Sequence, residues 1–391
     1  MRSKLMRLAL GAAAVFPVFA FAPAVRAEDG EKPAKKEFDD EKIAADWKLC
    51  KARGASHCRK RAEYWSGKGT AGKDLFFLGL MWNRGEEYGK AAEVLTQFLG
   101  WTPPSDDAGA VSANQKNREF AMNELIMIQF KTKDYAKTVA AAEAFRKEFE
   151  SSAVAPDSWV IQGHAHRMAN EEDKAIEAFG KAAEAKKVAG VLDLVDVHLA
   201  AGRVDAAKEA LTKYGADLAD NPYVAWMKDV LAAVGNAAPG LDQSRSVGTS
   251  DAPTAWDKPT VLFFWGMQTA MSDRKLARTE MVAMSFGGKV NALGVATYKK
   301  YNPQTMKVEL EMTEDQEIDW YKQLIAKEFG GRQPPSVVVK QDWLDALKIR
   351  WENQITVVDG EGKLRYARLN QEKPWDVLTL EKALQAMTAG K

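Results

Sequence analysis

The spacing of apolar residues changes once along this 391-residue chain. In residues 41–235, apolar positions recur every three to four residues and short polar turns separate the segments, which predicts paired α-helices. In residues 259–391, short apolar runs such as TVLFFW alternate with amphipathic stretches, which predicts strands alternating with helices. The segment between them, residues 236–258, contains Gly, Pro and Ser and is predicted to be a linker. We therefore expect two domains, the first all-α and the second α/β.

The N-terminus has the pattern of a secretory signal peptide, residues 1–27. Three basic residues precede an apolar stretch from Leu8 to Phe21, and Val25-Arg26-Ala27 provides a cleavage site. The stretch is shorter than the roughly 20 residues that cross a bilayer, and Pro17 interrupts it. We expect a cleaved signal and a periplasmic or otherwise exported protein, with an uncleaved anchor as the alternative. Residues 28–40 are charged and aperiodic, which predicts a flexible leader.

The charge balance gives no support to a nucleic-acid or anionic-membrane partner. The chain has 55 basic and 54 acidic residues. Removing residues 1–27 takes away four basic residues and no acidic one, which changes the formal net charge from +1 to −3. A protein that binds phosphate backbones needs a clear excess of positive charge.

Two segments of the helical region share a pattern of small and aromatic residues. The first is DLFFLGLMWNRGEEYGKAAEVLTQFLGWTPP, and the second is PDSWVIQGHAHRMANEEDKAIEAFGKAA. In each, small residues allow two helices to approach closely and aromatic residues fill the space beside them. Looser copies lie at residues 127–145 and 198–211. The predicted packing residues are Gly79, Trp82, Ala91, Trp159, Gly163, Ala175, Phe179 and Ala182.

These residues resemble the tetratricopeptide repeat, and the resemblance covers residues 41–235. It implies an α-solenoid of helical hairpins with a concave face that binds peptides or proteins. The motifs specify packing and carry no catalytic chemistry.

The only two cysteines, Cys50 and Cys58, lie between two predicted helices. A disulfide between them would close a nine-residue loop and stabilise a helical hairpin by about 2.5 kcal/mol. A redox or metal-binding pair is more often spaced C-x-x-C, so the spacing favours a structural disulfide over these alternatives. The segment CKARGASHCRKRAEYW also resembles the Sel-like relatives of the repeat, in which such a pair joins one hairpin. The surrounding basic residues are predicted to be a solvated face.

The second domain resembles the thioredoxin-like proteins, in particular the envelope thiol–disulfide oxidoreductases. The resemblance covers residues 250–390 and rests on KPTVLFFWGMQTAMSDRKL, on ITVVDGEGKLRYARL and on the final helix. In that family the first of these strands leads into a C-x-x-C that opens a helix, and a cis-proline precedes the strand that matches ITVV. The resemblance implies that a substrate groove is built on that cis bond.

The residues at the family's redox positions differ from the family pattern. The strand ends at Trp265, and Thr269 and Ser272 stand at the two cysteine positions. Asn353 stands at the cis-proline position, where a cis peptide would cost roughly 2.5–4 kcal/mol. Because disulfide exchange requires a thiolate, hydroxyl groups at the two positions cannot form a mixed disulfide. We therefore expect a redox-inactive domain.

Other chemistry finds no support in the sequence. His164 and His166 form an H-x-H, but residues two apart on a helix point to different faces, so no metal site is predicted. No nucleophile motif, phosphate-binding glycine loop or zinc signature is present, and no cofactor is predicted.

The sequence predicts a periplasmic scaffold that binds protein or peptide partners in an envelope assembly and is not an enzyme. The alternative is a divergent thiol–disulfide oxidoreductase or redox chaperone, which would require Cys50 and Cys58 to cycle between thiol and disulfide. Binding of a ligand or metal between the two domains is a third possibility.

Overall fold

A computed structural model describes most of the chain after the leader. The described residues are 40–103, 106, 108–247, 252–264, 281–298, 301–302, 307–308, 312–328, 335–351, 354–369 and 373–389. The predicted signal peptide, residues 1–27, and most of the predicted leader lie outside them.

The N-terminal unit consists of α-helices that pack in antiparallel pairs. The helices are α1 (Asp40–Arg53), α2 (Ala55–Ser66), α3 (Leu75–Arg84), α4 (Tyr88–Gly100), α5 (Ala108–Lys131), α6 (Tyr135–Glu148), α7 (Ala155–Met168), α8 (Glu172–Glu184), α9 (Val188–Ala200), α10 (Val204–Gly215) and α11 (Pro222–Ala233). Consecutive helices contact each other along the whole series, as expected for stacked hairpins. The predicted helical-repeat region is confirmed.

The turns of four hairpins, α3–α4, α5–α6, α7–α8 and α9–α10, share one backbone conformation. In each, a residue with positive φ lies two positions before the second helix, and the next backbone N–H donates to a carbonyl five residues earlier. The left-handed residues are Glu86, Lys133, Asn170 and Gly202. This Schellman-type ending satisfies carbonyls at the end of the first helix and reverses the chain within four residues.

The first helix of each hairpin lies on the inner side of the array. Successive first helices contact one another: α3 with α5, α5 with α7, and α7 with α9. The second helices make fewer contacts with one another. In a curved stack, the elements closest together are those on the concave side, so α3, α5, α7 and α9 line that side.

The C-terminal unit is a mixed sheet with helices on it. Its strands are β1 (Arg245–Ser246), β2 (Thr260–Phe264), β3 (Asn291–Thr297), β4 (Tyr301–Asn302), β5 (Lys307–Val308), β6 (Ser336–Val339), β7 (Gln354–Val358) and β8 (Leu364–Leu369). Its helices are α12 (Glu314–Glu328), α13 (Gln341–Ala346) and α14 (Pro374–Thr388). The six-stranded sheet has the order β1-β6-β3-β2-β7-β8, and β4 and β5 form a separate hairpin.

The centre of this sheet has the element order of a thioredoxin-like domain. Strand β2 is parallel to β3 and antiparallel to β7, and β7 is antiparallel to β8. Helix α14 then follows β8. All five residues of β2 are buried, as its continuous apolar run predicts. The predicted fold class, an all-α solenoid followed by an α/β thioredoxin-like domain, is confirmed.

Local sequence signals set two boundaries in this unit. Thr313 and Gln316 exchange hydrogen bonds before α12 and form a capping box. The side chain of Asp359 accepts from the backbone N–H groups of Glu361 and Lys363 and closes the turn between β7 and β8.

The predicted linker, residues 236–258, is partly built into the second unit. Strand β1 pairs with β6, and Ala237 forms a β-bridge with Lys363. The segment therefore holds the two units together by backbone hydrogen bonds.

Both units contribute to one buried core. Its members include Val195 of α9, Val357 of β7, Tyr366 of β8 and Leu384 of α14. Apolar surface that each unit would expose alone is therefore removed from water at their junction.

Candidate functional site

The predicted redox positions lie outside the described residues. These are Trp265, Thr269, Ser272 and Asn353. The structure describes the frame around them: β2 ends at Phe264, and Phe263 pairs with Ile355, the second residue of β7. Ligands of open α/β sheets bind at the carboxyl ends of parallel strands, and this is the end of β2 that leads to Thr269.

The segment that leads to Asn353 is covered by the last helix of the repeats, α11. The indole Nε1 of Trp226 donates to the carbonyl of Lys348 at 2.8 Å. The ring of Trp351 lies 5.2 Å from that of Trp226, and Arg350 pairs with Asp229. In the thioredoxin-like family this segment borders the substrate groove. Here residues 348–351 contact the chain's own repeat unit.

The concave face of the repeats is covered by α14. This helix contacts α7 and α9, and its Trp375 reaches the last turn of α5 at Phe130, with ring centroids 5.5 Å apart. The ring of Trp375 also stacks on His164 of α7, with centroids 3.8 Å apart and an interplanar angle of 16°. Helix α14 is therefore laid across three successive first helices, as a helical ligand lies in a groove.

A buried charged network anchors this contact, and Asp196 of α9 is its centre. One carboxylate oxygen accepts from Arg167 of α7 at 3.0 Å and from Arg368 of β8 at 2.9 Å. The other accepts from the hydroxyl of Tyr366 at 2.6 Å. Arg368 also pairs with Asp376 of α14 at 2.5 Å. Buried charges are tolerated where each has partners of opposite charge in hydrogen-bonding geometry.

The network extends to the neighbouring side chains on α7, α9 and α14. Arg167 also donates to Thr379 of α14. Asp193, one turn before Asp196, lies 3.1 Å from Nε2 of His164. At its edge, Glu172 of α8 pairs with Lys382 of α14 at 3.0 Å. These contacts join α7, α8 and α9 to α14.

Electrostatic coupling within the network shifts the pKa values of its members. Burial acts to lower the pKa of Arg368, but Asp196 and Asp376 outweigh it and hold that pKa well above the ordinary range. Burial and the negative charge of Asp196 raise the pKa of Tyr366 well above its usual value. Burial acts to raise the pKa of Asp193, but His164 and Arg167 outweigh it and the pKa is lowered. The arginine and Asp193 are therefore held charged, and the tyrosine is held neutral.

Sequence analysis did not identify these residues as a group. Two sequence features point to them. Asp193 and Asp196 interrupt a largely apolar helix, VAGVLDLVDVHLA. Tyr366 and Arg368 are two positions apart on β8 and therefore lie on the same face of the sheet. A charge inside an apolar element indicates a buried partner. The identity of that partner depends on how the two units dock.

The two cysteines lie at the far end of the repeats, in the α1–α2 hairpin. Both are buried, both are free thiols in the structure, and Sγ of Cys58 donates to the carbonyl of Cys50 at 3.3 Å. Burial, followed by the hydrogen bond with Cys58, raises the pKa of Cys50 to about 12, and burial also raises the pKa of Cys58. They belong to a cluster of α1–α5 residues that contains no residue of the sheet. The disulfide stays a prediction.

The predicted packing glycines lie where two helices touch. A Cβ added to Gly79 would meet Leu95 at 2.5 Å, and one added to Gly163 would meet Phe179 at 2.4 Å. Neither position can hold a larger residue without a shift of its neighbour. The buried members of the predicted packing set are Gly79, Trp82, Ala91, Gly163, Ala175, Phe179 and Ala182.

Trp159 differs from the other predicted packing residues because it is half-buried. The guanidinium carbon of Arg146 lies 3.3 Å from its ring centroid, and Nζ of Lys181 lies 4.6 Å from it. This residue is held by cation–π contacts at the rim of the core.

The two histidines of the H-x-H have separate partners. His164 contacts Asp193 and Trp375, whereas Nδ1 of His166 lies 2.7 Å from Glu171. Within the described part of the chain, no group of three His, Cys, Asp or Glu side chains could hold a metal ion. No helix among the described residues has the length and apolar character to cross a bilayer.

A shallow cavity of about 610 Å³ lies at the amino ends of β2, β3 and β6, opposite the end where β2 finishes at Phe264. Its lining includes Lys258 before β2, Asn291 at the start of β3 and Pro335 before β6. These are the amino ends of the parallel strands, where α/β sheets do not bind their ligands. We assign no function to this cavity.

No protein-family model matches the sequence, and no curated protein sequence matches it. Solved structures share parts of its architecture. The MamA RS-1 ArsTM double mutant is 16% identical to this chain, with a TM-score of 0.35. The similarity spans 47% of this chain and 97% of the MamA chain. The exposed lipoprotein thioredoxin Etrx1 of Streptococcus pneumoniae is 21% identical, with a TM-score of 0.25, and covers 32% of this chain and 84% of its own.

A third structure, the N-terminal domain of PilB from Neisseria gonorrhoeae, is 17% identical, with a TM-score of 0.28. It covers 36% of this chain and 88% of its own. This chain joins tetratricopeptide-like repeats to a thioredoxin-like sheet. The pairing of its helices and the order of its strands define this architecture.

Proposed function

We propose that this protein is an exported, non-catalytic scaffold that binds protein partners in a bacterial envelope assembly. The observation that carries the proposal is the docking of the two units on each other. A thioredoxin-like enzyme presents its redox site to substrates, whereas here residues 348–351, which precede Asn353 in the chain, contact α11. A repeat unit and a sheet unit that share one core present a single rigid surface.

The thiol chemistry of the chain supports the same proposal. Thr269 and Ser272 occupy the positions of the family's cysteines. The only two cysteines are buried in the α1–α2 hairpin, and the pKa of Cys50 is about 12. Thiol–disulfide exchange is fastest for an accessible thiol whose pKa lies near the ambient pH.

Reduction of insulin by dithiothreitol tests the absence of catalysis. We expect residues 28–391 to leave the rate of insulin precipitation at the uncatalysed value. The matched control is Thr269→Cys combined with Ser272→Cys, which places the family's pair in the same chain. Turnover by the unmodified chain comparable to that of an active thioredoxin would refute the scaffold proposal.

Export is tested separately by fractionation and N-terminal sequencing. The pattern of residues 1–27 supports cleavage after Ala27, so we expect the mature protein in the periplasmic fraction to begin at Glu28. Recovery of the intact N-terminus in the cytoplasm would contradict export.

A redox function is the second candidate, and the proximity of the two cysteines favours it. They interact within one hairpin, so a bridge between them could form and break. Alkylation of protein taken directly from cells, followed by mass spectrometry, separates the candidates. A uniformly oxidised pair supports a structural bridge, and a mixed population supports cycling.

A further inference from the structure

The docking of the two units leaves the N-terminal hairpin as the open end of the molecule. Helix α14 covers α7 and α9, and α11 covers the segment before Asn353. The α1–α2 hairpin makes its main contacts with α3, and Arg59 also reaches Gly85 and Glu87 beyond that helix. Among the described residues, neither α11 nor α14 covers the outer side of this hairpin.

Positive charge is concentrated on this hairpin. The hairpin and the segment that joins it to α3, residues 40–74, contain nine Lys or Arg residues and five Asp or Glu residues, for a formal charge of +4. The remaining residues after position 27 carry a formal charge of −7. The near-neutral total therefore conceals a separation of charge, and such a separation steers a partner of opposite charge to one end.

The basic residues of the hairpin divide into two groups. Arg59 donates to the carbonyl of Gly85 at 2.9 Å, and Arg61 pairs with Asp46, so both stabilise the hairpin itself. A second group is exposed and forms no ion pair with the described residues. Its members are Lys48, Arg53, Lys60 and Lys68. These four define the basic face discussed below.

Two apolar side chains of the same hairpin are exposed, and Tyr64 contacts the basic face. Tyr64 is 48% exposed and Leu49 is 45% exposed. Lys60, Tyr64 and Lys68 follow one another at four-residue spacing, and Nζ of Lys68 lies 5.5 Å from the tyrosine ring. Apolar and aromatic groups surrounded by cations provide the two kinds of contact that protein interfaces use.

We propose that the basic face of the α1–α2 hairpin binds an acidic segment of a partner protein. This inference rests on the scaffold function proposed above and names its partner class. The sequence favours a solvated face at this place, but the polarity of the molecule and the two exposed apolar side chains change that interpretation.

The same face lacks what an anionic membrane would need. An interfacial helix buries a continuous apolar face in the lipid, whereas the hairpin exposes only the two separate apolar side chains Leu49 and Tyr64 among its large apolar residues, and the others pack inside it. They include Ile43, Ala62 and Trp65. A protein segment that carries carboxylates matches the face more closely than a lipid surface.

Charge reversal on the mature chain tests the proposal with a defined probe. The probe is a fluorescein-labelled peptide of 20 alternating Glu and Gly residues, and the readout is anisotropy at 50 mM and 150 mM NaCl. We expect the chain to bind it and the combination Lys48→Glu, Lys60→Glu and Lys68→Glu to weaken binding by roughly tenfold or more. The higher salt concentration should weaken binding by the unmodified chain, because these charges are exposed to solvent.

The matched control reverses three exposed lysines elsewhere: Lys147→Glu, Lys208→Glu and Lys228→Glu. It changes the net charge by the same amount and should weaken binding by less than about twofold. Thermal unfolding measured by circular dichroism shows whether each variant is folded, and Lys60→Glu alone replaces the triple variant if that variant unfolds. Equal loss in both triple variants would overturn the proposal, because it would show a response to net charge alone.

Cross-linking in cells identifies the natural occupant. A photo-reactive phenylalanine analogue replaces Tyr64, and mass spectrometry identifies the attached molecule. An acidic protein segment supports the proposal, whereas a phospholipid or a segment without excess acidic residues overturns it. Capture of a protein partner that the hairpin variant retains would overturn this inference and leave the scaffold function intact. Failure of the chain to capture any protein would contradict both.

Discussion

Replacement of Asp196 by Asn tests whether the charged network holds the two units together. Its carboxylate accepts hydrogen bonds from Arg167, Arg368 and Tyr366 and is 3% exposed. Asparagine has nearly the same shape but no charge, and its amide nitrogen would face donors. Both arginines would then lose one anion in a site that water does not reach.

The expected loss is large because the partners remain buried. Removing one member of a buried ion pair costs about 3–5 kcal/mol, most of it the cost of leaving the other charge uncompensated. Arg368 retains Asp376 and Arg167 retains Thr379, so we expect the lower part of this range. With an unfolding entropy of about 2.1 cal/mol/K per residue, about 3 kcal/mol corresponds to a fall in Tm of roughly 4 °C for residues 28–391.

Urea unfolding followed by two probes measures both the loss and its location. Circular dichroism at 222 nm reports on the helices, and tryptophan fluorescence reports on all twelve tryptophans, of which Trp226, Trp351 and Trp375 lie at the junction. In the unmodified protein we expect coincident transitions, because the two units share one core. In Asp196→Asn we expect an earlier fluorescence transition.

The matched control for this experiment is Asp220→Asn. Asp220 lies in an exposed turn, so its replacement should change the free energy of unfolding by less than about 0.5 kcal/mol. A loss below 1 kcal/mol in Asp196→Asn, with coincident transitions, would show that the network does not contribute to docking.

Three further changes test other parts of the structure. Gly163→Ala places a Cβ against Phe179 and should lower the free energy of unfolding in urea by about 1–3 kcal/mol. The control Gly180→Ala lies on the open side of α8 and should raise the free energy of unfolding by up to about 1 kcal/mol. Equal effects of the two substitutions would contradict close packing at Gly163. Burial raises the pKa of Cys50 to about 12, so very little of this thiol is ionised at pH 8. Iodoacetamide should therefore modify the reduced, folded protein far more slowly than the urea-unfolded protein. Mass spectrometry of the alkylated protein measures both rates. Trp351→Ala should lower the free energy of unfolding by roughly 2 kcal/mol through loss of its contacts with α11, and an unchanged urea midpoint would argue against that docking.

Much of the fold could be predicted from local patterns. The repeats follow from small residues at fixed spacing, such as Gly163 opposite Phe179. The start of α12 follows from the pair Thr313 and Gln316, and the buried strand β2 follows from its apolar run. The left-handed turn residues include Glu86, Lys133, Asn170 and Lys186, whereas glycine marks the turns at Gly54 and Gly202. The turns were predictable from the ends of the helical patterns and not from glycine content.

The candidate site could not be predicted in the same way. Amphipathic periodicity states that one side of a helix is buried, but it does not state what covers that side. For α7 and α9 the cover is α14, and the hydrogen bond from Arg167 to Thr379 spans 212 positions in the chain. Likewise, the sequence places Asn353 at a family position, but only the fold brings α11 against residues 348–351.

The difference between the predictable elements and the unpredictable docking has a physical cause. Helix, strand and turn formation depend on interactions within a few residues, so composition and spacing are enough to predict the elements and the domain classes. The stability of a buried charge such as Arg368 depends on the carboxylates of Asp196 and Asp376, which come from two other elements. Which faces of the two units remain open for a partner is decided by that long-range docking, and it emerges only when the whole chain is folded.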